Sequence, residues 1–257
     1  MKVEVERQGR VEWITLNRPQ VLNALDQETK ALFLQALRKA ERDALVRAVV
    51  VRGAGAAFSA GEDLKSHQDN PRRSLRQSLV TGYNPIIETM LRMGKPVVAS
   101  LGGVAAGAGF SIALAADLRI GTAKTRLIAA FSRIGLVPDS GLSQLLPRFC
   151  GPGVALELFY TARPMAAEEA VRWGILNQVV AEEELDQTVS AWAQRLAEGP
   201  TSAFALTKQA VRRGYEASLT DLLAHEAAAQ ELAGQSEDHQ EGVAAFLAKR
   251  PPRFSGK

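Results

Sequence analysis

Two glycine-rich turns carry the first sign of chemistry in this chain. Gly102, Gly103, Gly107 and Gly109 fall within eight residues, after an apolar run over 96–101 and before a helical pattern over 110–116. Strand, glycine turn and helix leave backbone N–H groups unpaired at a helix N-terminus, where the dipole favours negative charge. A second Gly/Ala-rich turn, Phe58-Ser59-Ala60-Gly61, also follows a β-branched strand, over 48–52. Brought together in space, the two turns would aim two N–H groups into one pocket. That is an oxyanion hole, with fixed donors for an oxygen that gains charge in the transition state, each worth about 3 kcal/mol. The implied substrate oxygen is a carbonyl that becomes an enolate or a tetrahedral anion. The glycines and alanines of the 102–109 stretch supply no acid, base or nucleophile of their own. One acid, Asp139, lies in an apolar-lined loop over 129–141. From the residues alone it better suits the N-cap of a helix starting near Ser140, because Pro-Asp-Ser-Gly is a good cap.

The elements that must position these residues read as α/β. Segments 3–7 and 11–16 alternate like the strands of a hairpin. Asp26 is a good N-cap for an amphipathic helix over 27–43. Strands are expected at 48–52, 96–101, 118–122 and 176–180, with a helix at 79–93 and a polar surface loop at 65–78. Helices follow at 143–149, 153–161, 166–173 and 182–198. From residue 201 onward the pattern is helical throughout, over 203–215, 219–232 and 237–249, and Pro251-Pro252 stops the last helix. We divide the chain into an α/β core, 1–199, and a C-terminal helical region, 200–257.

Composition narrows the classes. The 257 residues are 46% hydrophobic and 23% charged, ordinary for a globular protein with a sizeable core. A net charge of +3 suits a polyanionic small molecule better than a nucleic acid, which calls for a concentrated basic stripe and stacking aromatics. One cysteine, Cys150, excludes an internal disulfide and a cysteine-based zinc cluster, and three scattered histidines make no metal-ligand spacing. No apolar stretch is long enough for a membrane span, and the charged start carries no secretory signal. A cytoplasmic protein is expected, with no metal, no nucleic acid and no membrane.

The motifs together resemble the crotonase family, also called the enoyl-CoA hydratase/isomerase superfamily. The resemblance rests on Phe58-Ser-Ala-Gly-Glu-Asp-Leu64, Gly102-Gly-Val-Ala-Ala-Gly-Ala-Gly109 and Ala115-Ala-Asp-Leu-Arg119. It extends through Asn17-Arg-Pro19, Asn23-Ala-Leu25, Lys95-Pro-Val97, Gly135-Leu-Val-Pro138, Trp173-Gly-Ile-Leu176 and Phe246-Leu-Ala-Lys-Arg250, and so covers nearly the whole chain. It implies a spiral of ββα units with a C-terminal helical trimerisation region, and trimers or dimers of trimers. It places the oxyanion hole for an acyl-CoA thioester on the N–H groups of Ala60 and Ala108. It places coenzyme A, as part of the substrate, along 21–25 (Val21, Ala24, Leu25) and near Lys65, with Phe246 and Lys249 reaching it from a neighbouring subunit. No separate cofactor is implied.

The departures from the family pattern point to one reaction type. Hydratases of the family use two glutamates, and the matching positions here are Ser111 and Phe131. Asp139 stands where hydratases usually have glycine. Family isomerases acting on dienoyl-CoA, and the phenylacetate-pathway isomerase of ring-1,2-epoxyphenylacetyl-CoA, have aspartate there. One carboxylate suffices to take a proton from one carbon and return it two carbons away, through a dienolate held at the thioester oxygen. Hydration suits two groups. An aspartate of ordinary pKa, about 3.9, is a poor base, but a pocket lined by Phe131, Leu136 and Val137 should raise it. The expected activity is therefore a CoA-ester isomerase that rearranges the ring epoxide to oxepin-CoA, shifts C=C bonds in enoyl-CoA esters, or both. An enoyl-CoA hydratase with relocated groups is the alternative within the fold; an RNA-binding or structural protein is the alternative from another class. Bland readings cover the rest. Glu62 and Asp63 stabilise a loop, Ser111 has no base and is no nucleophile, and Cys150 is packing. Arg72, Arg73 and Arg76 form a solvated face, and the histidines lie on the surface.

Overall fold

The computed structural model describes residues 1–65 and 74–257. The chain opens with the expected hairpin, β1 (Val3–Gln8) antiparallel to β2 (Val11–Leu16). Asp26 then caps α1 (Gln27–Arg42), its Oδ1 accepting the Thr29 N–H at 2.8 Å. The next elements come in pairs. Strands β3 (Ala48–Gly53) and β4 (Ala57–Ser59) are followed by β5 (Val97–Leu101) and β6 (Val104–Ala106), then by β7 (Leu118–Thr122) and β8 (Arg126–Ile128). The first strand of each pair joins a large sheet, β1-β2-β3-β5-β7-β10, which ends at β10 (Gln178–Val180). The second strand joins a small sheet, β4-β6-β8-β9, where β9 is Met165–Ala166. Each unit thus advances one strand in both sheets, which is the spiral that the resemblance implies.

From β2 onward the large sheet is parallel, and parallel strands need cover on both faces. Val49 and Val51 of β3 face one core, with Phe33 and Leu37 of α1. Ala48 and Val50 face the other, against Val189 and Ala193 of the later helix Leu185–Ala197. This two-sided burial explains the unbroken Val-Val-Val run. The three-residue strands of the second sheet went unread in the sequence, because they are too short to show a period.

Helix boundaries hold with local changes. The expected 65–78 loop lies partly outside the described residues, as do Arg72, Arg73 and His67; its far end is a helical turn, α2 (Leu75–Ser78), on which Arg76 is exposed. The 79–93 helix is divided into a π turn at Leu79–Tyr83 and α3 (Asn84–Arg92). After α4 (Ala108–Ala115), the two helices expected at 143–161 form α5 (Leu142–Thr161), broken at Gly151 (φ 74°, ψ 163°). Helices α6 (Ala167–Arg172) and α7 (Leu185–Ala197) precede α8 (Thr201–Arg213), α9 (Leu219–Gly234) and α10 (Glu237–Leu247). Among the described residues, no helix is long and apolar enough to cross a membrane.

The Asp26 cap yields a prediction. Burial pushes its pKa up, but hydrogen bonds from Lys2 and Thr29 and the charge of Arg18 outweigh that and hold it at about 2. A depressed carboxylate stabilises the fold fully above its ordinary 3.8 and loses that contribution as pH falls through about 2. Asp26→Ala is expected to cost about 1 kcal/mol at neutral pH in urea denaturation, with the deficit shrinking in acid.

Candidate active site

The two glycine turns do meet. Gly61 has φ +88°, and a Cβ built there would lie 2.7 Å from the Ala106 carbonyl oxygen and 3.1 Å from the Ala108 nitrogen. A Cβ at Gly109 would lie 2.4 Å from the Ser59 carbonyl oxygen. Backbone therefore touches backbone on both sides, and no side chain fits between. Gly61→Ala adds a left-handed penalty to a clash and is expected to lower stability by about 1–3 kcal/mol, read as a drop in the thermal midpoint.

The amides of these turns are not equivalent. The expected donor Ala60 is a correction: its N–H bonds the Leu22 carbonyl at 2.8 Å, so it is spent inside the protein. Gly61 donates to Ser59 Oγ at 3.1 Å. Leu25 and Glu62 form a parallel bridge, in which the Leu25 N–H bonds the Gly61 carbonyl and the Asp63 N–H bonds the Leu25 carbonyl. In such a bridge the middle residue, Glu62, turns its own N–H to the side opposite Leu25. Ala108 opens α4 behind Gly107, and a first-turn N–H has no acceptor within its helix. Glu62 and Ala108 both line a cavity of about 400 Å³.

Asp139 lines the same cavity, with Phe131, Leu136 and Val137 as expected. Its carboxylate does not cap a helix. The N-cap of α5 is Gly141, with no side-chain bond, and Asp139 contributes only its backbone carbonyl, to the Leu142 N–H at 3.0 Å. Ser140 and Gly141 both take positive φ (53° and 79°), which swings the Asp139 side chain out of the capping position. The Ser140 hydroxyl donates to Asp139 Oδ1 at 2.7 Å, and the Ser111 hydroxyl donates to the Asp139 carbonyl at 3.1 Å. Burial raises the Asp139 pKa; the Ser140 bond opposes this, the charge of Glu62 adds to it, and Lys30 partly offsets it. The carboxyl thus moves in the direction a general base needs.

A second carboxyl shares the cavity, and the sequence reading gave it only a loop role. Lys30 Nζ, wholly buried, lies 3.0 Å from Glu62 Oε2 and donates to Ser78 Oγ at 2.9 Å. The Tyr83 hydroxyl donates to Glu62 Oε2 at 2.5 Å, and Lys30 sits 4.6 Å from the Tyr83 ring centre. Lys30, Phe33, Leu37 and Ala40 lie on the buried stripe of α1. A lysine on an apolar stripe was the visible signal of a buried ion pair.

Other expected contacts divide. Ala24 is buried beside the first turn, Val21 is half-buried, and the Leu25 side chain belongs to the core, which leaves only its backbone at the turn. Lys65 is exposed at the end of that turn. Phe246 and Lys249 are exposed and do not line this chain's cavity. Ser111 and Phe131 are buried. Among the described residues no group of three His, Cys, Asp or Glu could hold a metal ion.

Comparison with known proteins agrees with this architecture. The model of the family described as Enoyl-CoA hydratase/isomerase matches residues 6–257. The 1,2-epoxyphenylacetyl-CoA isomerase of Escherichia coli (strain K12) is 40% identical, over 95% of this chain and 94% of its own. The short-chain-enoyl-CoA hydratase of Clostridium acetobutylicum is 33% identical, over 96% and 95%. The crystal structure of an enoyl-CoA hydratase/isomerase from Cupriavidus metallidurans CH34 superimposes with a TM-score of 0.93 at 34% identity, covering 99% of this chain and 96% of that one. Fold, paired turns and full-length likeness lead to one conclusion: the chain belongs to the enoyl-CoA hydratase/isomerase family and has the crotonase fold.

Proposed function

We propose that this enzyme isomerises acyl-CoA thioesters through an enolate, with Asp139 as the acid/base. The observation that carries the reading is the half-buried Asp139 carboxyl, in one cavity with the first turn of α4. The thioester oxygen takes the Ala108 N–H, and the Glu62 N–H, which faces away from Leu25, replaces Ala60 as the second donor. Both stabilise charge that develops in the transition state. Asp139 removes a proton from a carbon beyond the thioester and returns it two carbons away, so the C=C bond moves and no atom is gained or lost. Ser111 and Phe131, at the positions of the hydratase glutamates, leave no pair there to activate water. The named relative that acts on 1,2-epoxyphenylacetyl-CoA supports a ring-epoxide substrate as well as linear enoyl chains.

The test is a direct assay. A 3-enoyl-CoA ester should be converted to the 2-enoyl isomer faster than crotonyl-CoA is hydrated. Faster hydration would replace the reading. Hydration is the second reading because Glu62 brings another carboxyl to the cavity and a similar relative is named a hydratase.

A further inference from the structure

A second cleft, of about 440 Å³, lies between α8 and the core and shares no lining residue with the catalytic cavity. Four cations line it: Arg119, Arg148, Lys208 and Arg212. Asp117 is the carboxylate among its lining residues, and it is already committed. Its Oδ2 accepts from the Val97 N–H at 2.9 Å and from Lys208 Nζ at 2.8 Å, and its Oδ1 lies 3.4 Å from Arg212 Nη2. Arg119 is satisfied by the carbonyls of Ile175 and Ala116. Arg148 stacks on Tyr215 at 4.3 Å and, among the described residues, reaches only Glu216 as an anion, 3.5 Å away and 69% exposed. So exposed a partner contributes little. Arg212 is left underpaired: its Nε is buried with no acceptor, while 30% of its side chain remains exposed.

Buried cations are normally matched by anions. Here burial pulls both Lys208 and Arg212 below their ordinary values, and the one carboxylate facing them is shared. The charge deficit falls on Arg148 and Arg212, which sit close enough for Arg148 to depress Arg212 further. The remaining walls are apolar, with Phe149, Phe204, Val211 and Tyr215. A bare inorganic anion would leave those walls wet. An anion with a hydrocarbon body matches both parts.

We infer that this cleft binds a small organic carboxylate, its anionic end held by Arg148 and Arg212 and its aryl or short alkyl body against Phe149, Phe204 and Tyr215. A guanidinium pair offers the forked donors that a carboxylate accepts, and the volume is in the range of small-ligand sites. The inference is independent of which reaction the catalytic cavity performs.

The experiment is calorimetric titration of the purified full-length protein with phenylacetate, with hexanoate and with inorganic phosphate. Saturable binding of either carboxylate, persisting in saturating acetyl-CoA, is expected, with phosphate weaker. Arg212→Met should weaken it by about tenfold or more, since a hydrogen bond to a charged group is lost, without changing acyl-CoA turnover. Arg148→Gln, at a site that holds no buried pair, should do the same and covers the case in which Arg212→Met fails to fold. Absence of carboxylate binding, displacement by acetyl-CoA, affinity unchanged in the folded variants, or phosphate binding as tight would each overturn the inference.

Discussion

Asp139→Asn is expected to lower the rate of double-bond shift by about 10²-fold or more, the usual contribution of a positioned acid/base. The affinity for a non-reacting acyl-CoA should stay within a few-fold, because the amide keeps the size of the side chain. Stopped-flow turnover and equilibrium binding separate the two. The pH profile adds a sign. The carboxyl must be ionised to accept a proton, and burial places its pKa above the ordinary 3.8. The acid limb of kcat/KM should therefore lie above 3.8 in the wild type. Stability should move the other way. A native pKa above the unfolded one means that the native state holds its proton longer, so stability falls as pH rises from 3.8 to the raised value. Asp139→Asn removes that loss. The variant should unfold at a higher temperature than the wild type at neutral pH, with the gap closing in acid below 3.8. An inactive variant with lower neutral-pH stability would mark Asp139 as a structural residue instead.

Lys30→Met is expected to destabilise the protein by about 3 kcal/mol, because it takes the buried Lys30 charge away from the half-buried Glu62 carboxylate. The Lys30 side chain is wholly buried, and it ties Glu62 to Ser78 and to the Tyr83 ring. The loss should be read from urea unfolding. A double variant, Lys30→Met with Glu62→Gln, should recover part of it, since the carboxylate that faced Lys30 is then gone. The site should respond as well. Lys30 lowers the Asp139 pKa and Glu62 raises it. Lys30→Met should therefore move the acid limb of the rate profile up, and Glu62→Gln should move it down. A double variant whose loss equals the summed losses of Lys30→Met and Glu62→Gln would show that the pair carries no coupling.

How much was legible follows from the range of the forces involved. Local pattern alone determined the β1–β2 hairpin, the α1 cap at Asp26, the parallel strands with their apolar runs, and the helical tail. Each depends on residues within about ten positions, where a period or a cap can be read. The glycine spacing and Asp139 likewise pointed to residues that line one cavity. The tertiary structure decided which amides face the cavity. Ala60 and Glu62 stand two residues apart on one turn; the Leu22 carbonyl spends the first N–H, and the bridge to Leu25 turns the second outward. It also decided that Asp139 is no cap, through two positive φ angles at Ser140 and Gly141. Finally it joined Lys30 to Glu62 across 32 positions, and Arg212 to Asp117 across 95. Sequence patterns carry no term for such pairs. Burial sets their strength, and burial exists only once the sheets have closed around them.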